Sequence, residues 1–325
     1  MIRLTFTIAL ILSALLAFEA PTMAENYPSR TVTIIVPYPA GGPTDQLARI
    51  VAKKLTEDFK QSVIVENITG GGTNIATNKV ARATPDGYTL LLHNLQISAN
   101  VTLYKSLPFD TEKDLTTVMF VNRNPLVLVG RKDLEAKTTK DLLALMKKKP
   151  LKTAIPGYGA TGHLASALLA QEAGVKIDVI PYRGAAPALQ DILGGHVDIF
   201  FATPQSVIQQ VKAGSMIAYG ITSSEKSDEF PNATSFPTLF GPKLEFSYWQ
   251  ALFAPSGTPK DIIDKLNAAM EKVVSDPDVL KIWSDEGVTG YPKDQRSVAA
   301  GAKLLRSEIE RWGAVIKAND IQVSQ

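Results

Sequence analysis

Short apolar runs alternate with longer stretches of helical period along most of this chain. Val32 to Val36 (VTIIV) predicts a buried strand, and residues 44–58 follow with Leu47, Ile50, Val51 and Leu55 on one helical face. SVIVE (62–66) predicts the next strand and residues 74–83 the next helix. Pro85-Asp86-Gly87 marks a turn, and YTLLL behind it predicts a third strand. A second block begins near residue 126. PLVLVG predicts a strand, TTKDLLALMKKK a helix and KTAIP a strand. Residues 162–173 form a helix with Leu164, Leu168 and Leu169 inward, ended by Gly174. IDVIPY is a strand, GAAPALQDILGG a helix stopped by Gly194-Gly195, and HVDIFFA a strand. A helix over 205–213 and the strand MIAYGIT follow. After the loop-rich segment EKSDEFPNATSFPTLFG comes a third block. FSYWQALFAP predicts a strand, and Thr258-Pro259 the cap and first turn of a helix on which Ile262, Leu266, Met270 and Val273 stack. The last helix, 294–318, is expected to bury Leu304, Leu305, Ile309, Trp312 and Ile316.

Short strands joined by helices imply parallel βαβ units, so the fold class is α/β. No long flexible linker separates the blocks. The chain is therefore expected to build two lobes, residues 25–125 plus 246–325 and residues 126–245, hinged by PLVLVG and FSYWQALFAP as crossing strands. Ligands of open α/β sheets bind outside the carboxyl ends of the strands. If the lobes face each other, their loops line one cleft.

Three of those loops share a device: a strand, a glycine-containing loop, then a helix start. They are VTIIVPYPAGGPTDQLAR, VIVENITGGGTNIATNKVARA and LKTAIPGYGATGHLASALLA. Each directs unpaired backbone N–H groups, at the positive end of a helix, into open space, which makes an anion site. The competing reading is that the glycines only supply turns. No loop carries the Walker lysine, and no GxGxxG follows a strand with an acid about 20 residues on.

The 325 residues suffice for one large core or two medium ones. The net charge of +2 points to neither nucleic acid nor an anionic membrane surface. There is no cysteine, which excludes disulfides and thiolate chemistry. MIRL followed by the apolar TFTIALILSALLAF, with Thr22-Met23-Ala24 behind it, predicts a signal peptide (1–24) cleaved after Ala24 and a periplasmic mature protein.

His93 follows a strand at its carboxyl end, where it either lines the cleft or packs. His163 stands just inside a helix start, as ligand contact or packing residue, and His196 falls in a turn. Their spacing fits no metal site. Arg183 offers a guanidinium to a carboxylate or to a surface ion pair. Tyr38 and Tyr182 are candidate pocket walls. Asp45, His163 and Ser166 come nearest to a catalytic group, but no glycine elbow surrounds Ser166.

Six segments in register resemble the periplasmic substrate-binding proteins of tripartite tricarboxylate transporters, the Bug family. They are YPSRTVTIIVPYPAGGPTDQLAR, VENITGGGTNIATNKVARATPDGYTLLL, LYKSLPFDTEKDLTTV, PGYGATGHLASALLA, VIPYRGAAPALQDILGGHVDIFF and WQALFAPSGTPKDIIDKLN. The resemblance implies a two-lobed periplasmic binding protein fold that closes on an organic carboxylate, most simply a dicarboxylate, and delivers it to membrane permease subunits. It implies that Tyr38, Ala40, Gly41, Gly42 and Asp45 belong to the loop holding one carboxylate. Thr161, with N–H groups of Gly159 and Ala160, would hold the other. Thr73 replaces a glycine usual in the family. Ala202-Thr203 stands where relatives with amino-acid ligands carry an acid, which favours a plain carboxylate. The full candidate binding set adds Asn74, His93, Asn94, Gly157, His163 and Arg183. No cofactor, metal or catalytic residue is expected, and a monomer is the default. The alternatives are a ligand-sensing subunit for a receptor kinase and, from another class, a periplasmic hydrolase.

Overall fold

The computed structural model describes residues 27–322, so the expected signal segment lies outside the described residues. The chain runs through β1 (Val32–Val36), α1 (Pro43–Phe59), β2 (Val63–Asn67), α2 (Asn74–Ala81), β3 (Thr89–Asn94), α3 (Gln96–Leu103) and β4 (Leu115–Pro125). Only Leu126 separates β4 from β5 (Val127–Arg131). Then come α4 (Thr139–Lys148), β6 (Leu151–Ile155), α5 (Thr161–Ala173), β7 (Ile177–Pro181), α6 (Ala185–Leu193), β8 (Ile199–Ala202), α7 (Pro204–Lys212), β9 (Met216–Ile221), β10 (Thr234–Ser235) and α8 (Phe236–Phe240). β11 (Ser247–Pro255), α9 (Lys260–Ser275), α10 (Pro277–Asp285), β12 (Thr289–Gly290) and α11 (Val298–Ala318) complete it.

Two six-stranded sheets result, in the orders β12-β4-β11-β3-β1-β2 and β10-β9-β5-β8-β6-β7. They share one plan. β2, β1 and β3 are mutually parallel, as are β7, β6 and β8. Next to each trio lies an antiparallel strand, β11 in the first sheet and β5 in the second. Those two strands are the ones that directly follow each passage of the chain between sheets. The α/β class and the two crossing strands therefore appear as expected.

The apolar faces account for the layering. Leu47, Val51 and Leu55 of α1 and Leu266, Met270 and Val273 of α9 pack on Leu90, Leu92 and Leu252 of the first sheet. The opposite face of that sheet joins a cluster that continues into the second, from Ile35, Leu91 and Phe120 to Leu164, Leu168 and Phe201. The far face of the second sheet holds Ala188, Ile192, Phe200 and Val207. Burying such side chains contributes roughly 1.5–3 kcal/mol each.

Several elements were not anticipated. α3 (QISANVTL) is buried on nearly every side, so it lacks the one-sided apolar stripe that marks an amphipathic helix. β4 is buried on both faces and carries Asn122 and Asn124, so no alternation shows. The last helix begins at Val298, with Ser297 as its cap, and not at 294, because residues 293–295 form a separate 3-10 turn. Thr258 does not cap α9. Its hydroxyl donates to the Pro255 carbonyl at 2.8 Å.

α11 is anchored by one carboxylate. Glu308 accepts from the indole N–H of Trp249 at 2.7 Å and of Trp312 at 2.9 Å, and both rings are buried. Glu308→Leu strands both donors and should cost roughly 1–3 kcal/mol for each in chemical denaturation. A loss under about 0.5 kcal/mol would show that the indoles find other acceptors.

Candidate functional site

A cavity of about 60 Å³ lies where the two sheets' loops meet. On the rule that one water needs roughly 10–15 Å³ of such space, it holds a handful of waters. Besides the start of α3, where Gln96 lines the wall and its N–H is taken by Asn94 Oδ1, four helix starts reach it: Gly42, Pro43 and Thr44 at α1, Ala160, Thr161 and Gly162 at α5, Gly184 to Pro187 at α6, and Thr203 at α7. None of these four helices has a side-chain cap. Four helices elsewhere do, through Thr138, Ser235, Asp276 and Ser297, while α2, α3 and α9 do not. First-turn N–H groups have no intrahelical partner, and each helix start carries about half a positive charge. The Thr161 hydroxyl is buried and has no hydrogen-bond partner. None of the lining residues is Asp, Glu, Lys, Arg or His.

The two sides of the cavity differ. Leu126, Phe200, Phe201, Ala185, Ala186 and Pro187 make an apolar wall. Opposite it stands a polar network centred on Asn94. Its Oδ1 accepts from the Tyr38 hydroxyl at 2.7 Å and from the Gln96 N–H at 3.0 Å. Its Nδ2 donates to the hydroxyls of Thr44 and Tyr248, both at 3.2 Å, which also bond each other at 2.9 Å. Burial raises both phenols and takes Tyr248 up to about 12, so they remain neutral donors.

Each of the two outer loops is held from behind by the side chain four residues on. The Gly41 N–H donates to Asp45 Oδ2 at 2.9 Å, and the Gly159 N–H to His163 Nδ1 at 3.1 Å. Both glycines have positive φ (85° and 75°), the conformation that turns the N–H inward. Burial pushes the Asp45 carboxyl up, but bonds from Arg49, Gly41 and Asn67 outweigh it and leave it below the usual carboxylate range. Burial lowers His163 to about 4. His93, fully buried, falls to about 3 for the same reason, against a hydrogen bond to the Asn94 backbone that favours its charged form.

Comparison with known proteins bears on this geometry. The sequence profile of the tripartite tricarboxylate transporter family receptor matches residues 47–321. The chain belongs to this receptor family. Its fold is similar to the periplasmic binding protein BugD (30% identity, TM-score 0.86, covering 91% of this chain and 99% of BugD). It is also similar to MatC from Rhodopseudomonas palustris with bound malate (32%, 0.83, 89% and 100%). An R. palustris protein with adipate is comparable (29%, 0.85, 91% and 99%).

Within this receptor, the structure brings Tyr38, Gly42, Asn94, Ala160, Thr161, Ala202 and Thr203 to the cavity wall. Thr73, Gly157 and Arg183 line a wider vestibule of about 820 Å³ outside it, together with Tyr182. Ala40, Gly41, Asp45, Asn74, His93, Gly159 and His163 line neither. The expected Gly159 and Ala160 donors are already used, since the Ala160 N–H bonds the Gly157 carbonyl at 3.2 Å. The unused donors lie one step further, at Thr161 and Gly162. The second glycine loop lines the vestibule and not the cavity. Gly70 to Thr73 all have positive φ and pack on α3, where Asn100 Nδ2 donates to the Gly72 carbonyl at 2.8 Å and reaches Thr73 Oγ1 and Asn74 Oδ1. Asp45, His163 and Ser166 do not assemble, because the Ser166 hydroxyl donates to the Gly162 carbonyl at 2.7 Å.

Thr44, Gln96, Tyr248, Phe200 and the start of α6 escaped the sequence reading. Only the last left a signal, in the glycine of PYRGAAP; Gly184 has φ 116°.

The two buried histidines set an acid limit. Their folded pKa values lie below the ordinary 6.5, so the unfolded chain takes up protons first as pH falls. The stability they contribute is complete above about pH 6.5 and is lost as pH falls toward 4 and below. For His163 it is on the order of 3 kcal/mol. Denaturation midpoints should therefore drop between pH 6.5 and 4, and drop less in His163→Gln. An equal drop in both proteins would place the proton uptake elsewhere.

Proposed function

We propose that this chain is a periplasmic receptor that captures a small dicarboxylate between its lobes and delivers it to the membrane subunits of a tripartite tricarboxylate transporter. One observation carries the reading: four uncapped helix starts, from both sheets, converge on a cavity without a charged wall. A carboxylate accepts several N–H bonds at once, and helix starts bind anions without a buried cation. One carboxylate sits at the start of α1 and the other at the starts of α5 and α6, with the hydrocarbon between them on Phe200 and Phe201. An amino acid would bring an ammonium that finds no acid in the wall. The malate and adipate held by relatives are both diacids, which supports the class and leaves chain length to the span between helix starts.

A thermal-shift panel of mono-, di- and tricarboxylates, amino acids and sugars tests the class, because ligands of the folded state raise the melting temperature. Diacids should give the largest shift. A response confined to sugars or amino acids would sink the reading.

Thr161→Val should weaken diacid affinity by roughly 1–3 kcal/mol, the scale of a stranded buried hydrogen bond. Unchanged affinity in calorimetry would remove this hydroxyl from the site. Arg183 is exposed at the vestibule and makes no ion pair among the described residues. Its role is to steer the anion inward. Arg183→Ala should slow association severalfold at low salt, with little effect at high salt or on release. A change confined to the release rate would instead mean direct contact with the bound ligand.

A further inference from the structure

The inner cavity and the vestibule share a partition. Tyr38, Pro39 and Gln96 contribute to it from the first sheet's loops, and Pro156 and Gly184 from the second's. Gln96 opens α3 and is 3% exposed. Its Oε1 accepts from the Tyr38 hydroxyl at 3.1 Å. Its Nε2 donates to the Tyr158 carbonyl at 3.2 Å and approaches the Gly72 carbonyl at 3.5 Å. Two carbonyls on one side and a phenol on the other fix which way the amide points. Tyr158 belongs to the β6–α5 loop, so the bond crosses between the lobes.

The neighbouring contacts across the partition are apolar. A Cβ on Gly159 would collide with the Leu103 side chain, and one on Gly184 would lie 3.3 Å from Pro39. Such surfaces close the gap but slide easily. In this partition the Gln96 amide is the polar tie, and it is linked through Tyr38 to the Asn94 network on the cavity wall.

We propose that Gln96 is the latch of the closed receptor: its amide ties the α3 start to the Tyr158 carbonyl and seals the cavity from the vestibule. This rests on reading the cavity as the ligand site. When the lobes part, the amide and the carbonyl take water in exchange, so the latch is weak enough to release. Its contribution is that of one neutral hydrogen bond, a roughly two- to tenfold bias toward the closed form.

The test needs no ligand. The chain has no cysteine, so spin labels can be placed at Ile64→Cys and Leu193→Cys, exposed positions on the two lobes. Pulsed dipolar spectroscopy then gives the ratio of closed to open distances. Gln96→Met, of similar volume but without the amide, should lower that ratio roughly two- to tenfold. Gln96→Glu keeps the acceptor for Tyr38 but loses both donors and should lower it as well. Thr77→Val, nearly isosteric, removes the 3.0 Å bond from the Thr77 hydroxyl to the Thr73 carbonyl within the first lobe, and should leave the ratio as in the parent. Equal ratios in the parent and both Gln96 variants, or an equal fall in Thr77→Val, would overturn the latch. A failed carboxylate assignment would appear separately, as a thermal-shift panel without a diacid response.

Discussion

Everything at the centre of this molecule follows from the need of helix starts for hydrogen-bond partners. A helix leaves its first N–H groups unpaired, and a side-chain oxygen at the cap normally satisfies one of them. Four helices away from the cavity follow that rule with Thr138, Ser235, Asp276 and Ser297. The helices that meet at the cavity do not. Gly42, Ala160 and Gly184 have no side-chain oxygen to offer, and the Thr203 hydroxyl is engaged with Ser206 at 2.9 Å. The donors stay unused by the chain and are available to an anion.

Leaving those donors free requires that the loops stay in place without a ligand. The chain solves this from behind, through Asp45 at Gly41 and His163 at Gly159. The two devices sit on opposite lobes and use the same four-residue step, which places a side chain in the first helical turn over the loop it holds. The side chains differ in charge, and so do their surroundings. Asp45 is ionised, with both oxygens bonded to Arg49 at 2.9 Å. His163 is neutral, and burial keeps it so. Neither brings a formal charge to the cavity wall, so the field an anion meets there is that of backbone dipoles.

The two sheets repeat one plan, a parallel trio followed by an antiparallel crossing strand, and the crossing strands place the site between them. Tyr248 at the start of β11 supplies the hydroxyl that meets Thr44 and Asn94. Leu126, the single residue between β4 and β5, lines the cavity itself. The hinge and the binding wall are thus partly the same residues, which couples lobe position to the shape of the site.

How much of this was legible varied with distance along the chain. Strands β1 to β3 and β6 to β9, helices α1, α5 and α9, the glycine loops and the two crossings follow from local period and turn residues, which act over a few positions. α3 and β4 gave no such signal, because each is buried on more than one side. The loops before α1 and α5 that the family resemblance named both reach the cavity, but the donors it named there are already paired. It pointed to Gly159 and Ala160 as donors, whereas the unpaired groups are at Thr161 and Gly162. That shift arises because His163 takes the Gly159 N–H and the Gly157 carbonyl takes that of Ala160. What the sequence by itself determined was the α/β order, the loops and the receptor family. Tertiary structure decided which donors are free, which side chains stand behind them, and that Thr44 and Tyr248, 204 residues apart, share one wall. The physical reason is that periodicity encodes a residue's neighbours on its own element, while a binding site is made by neighbours on other elements.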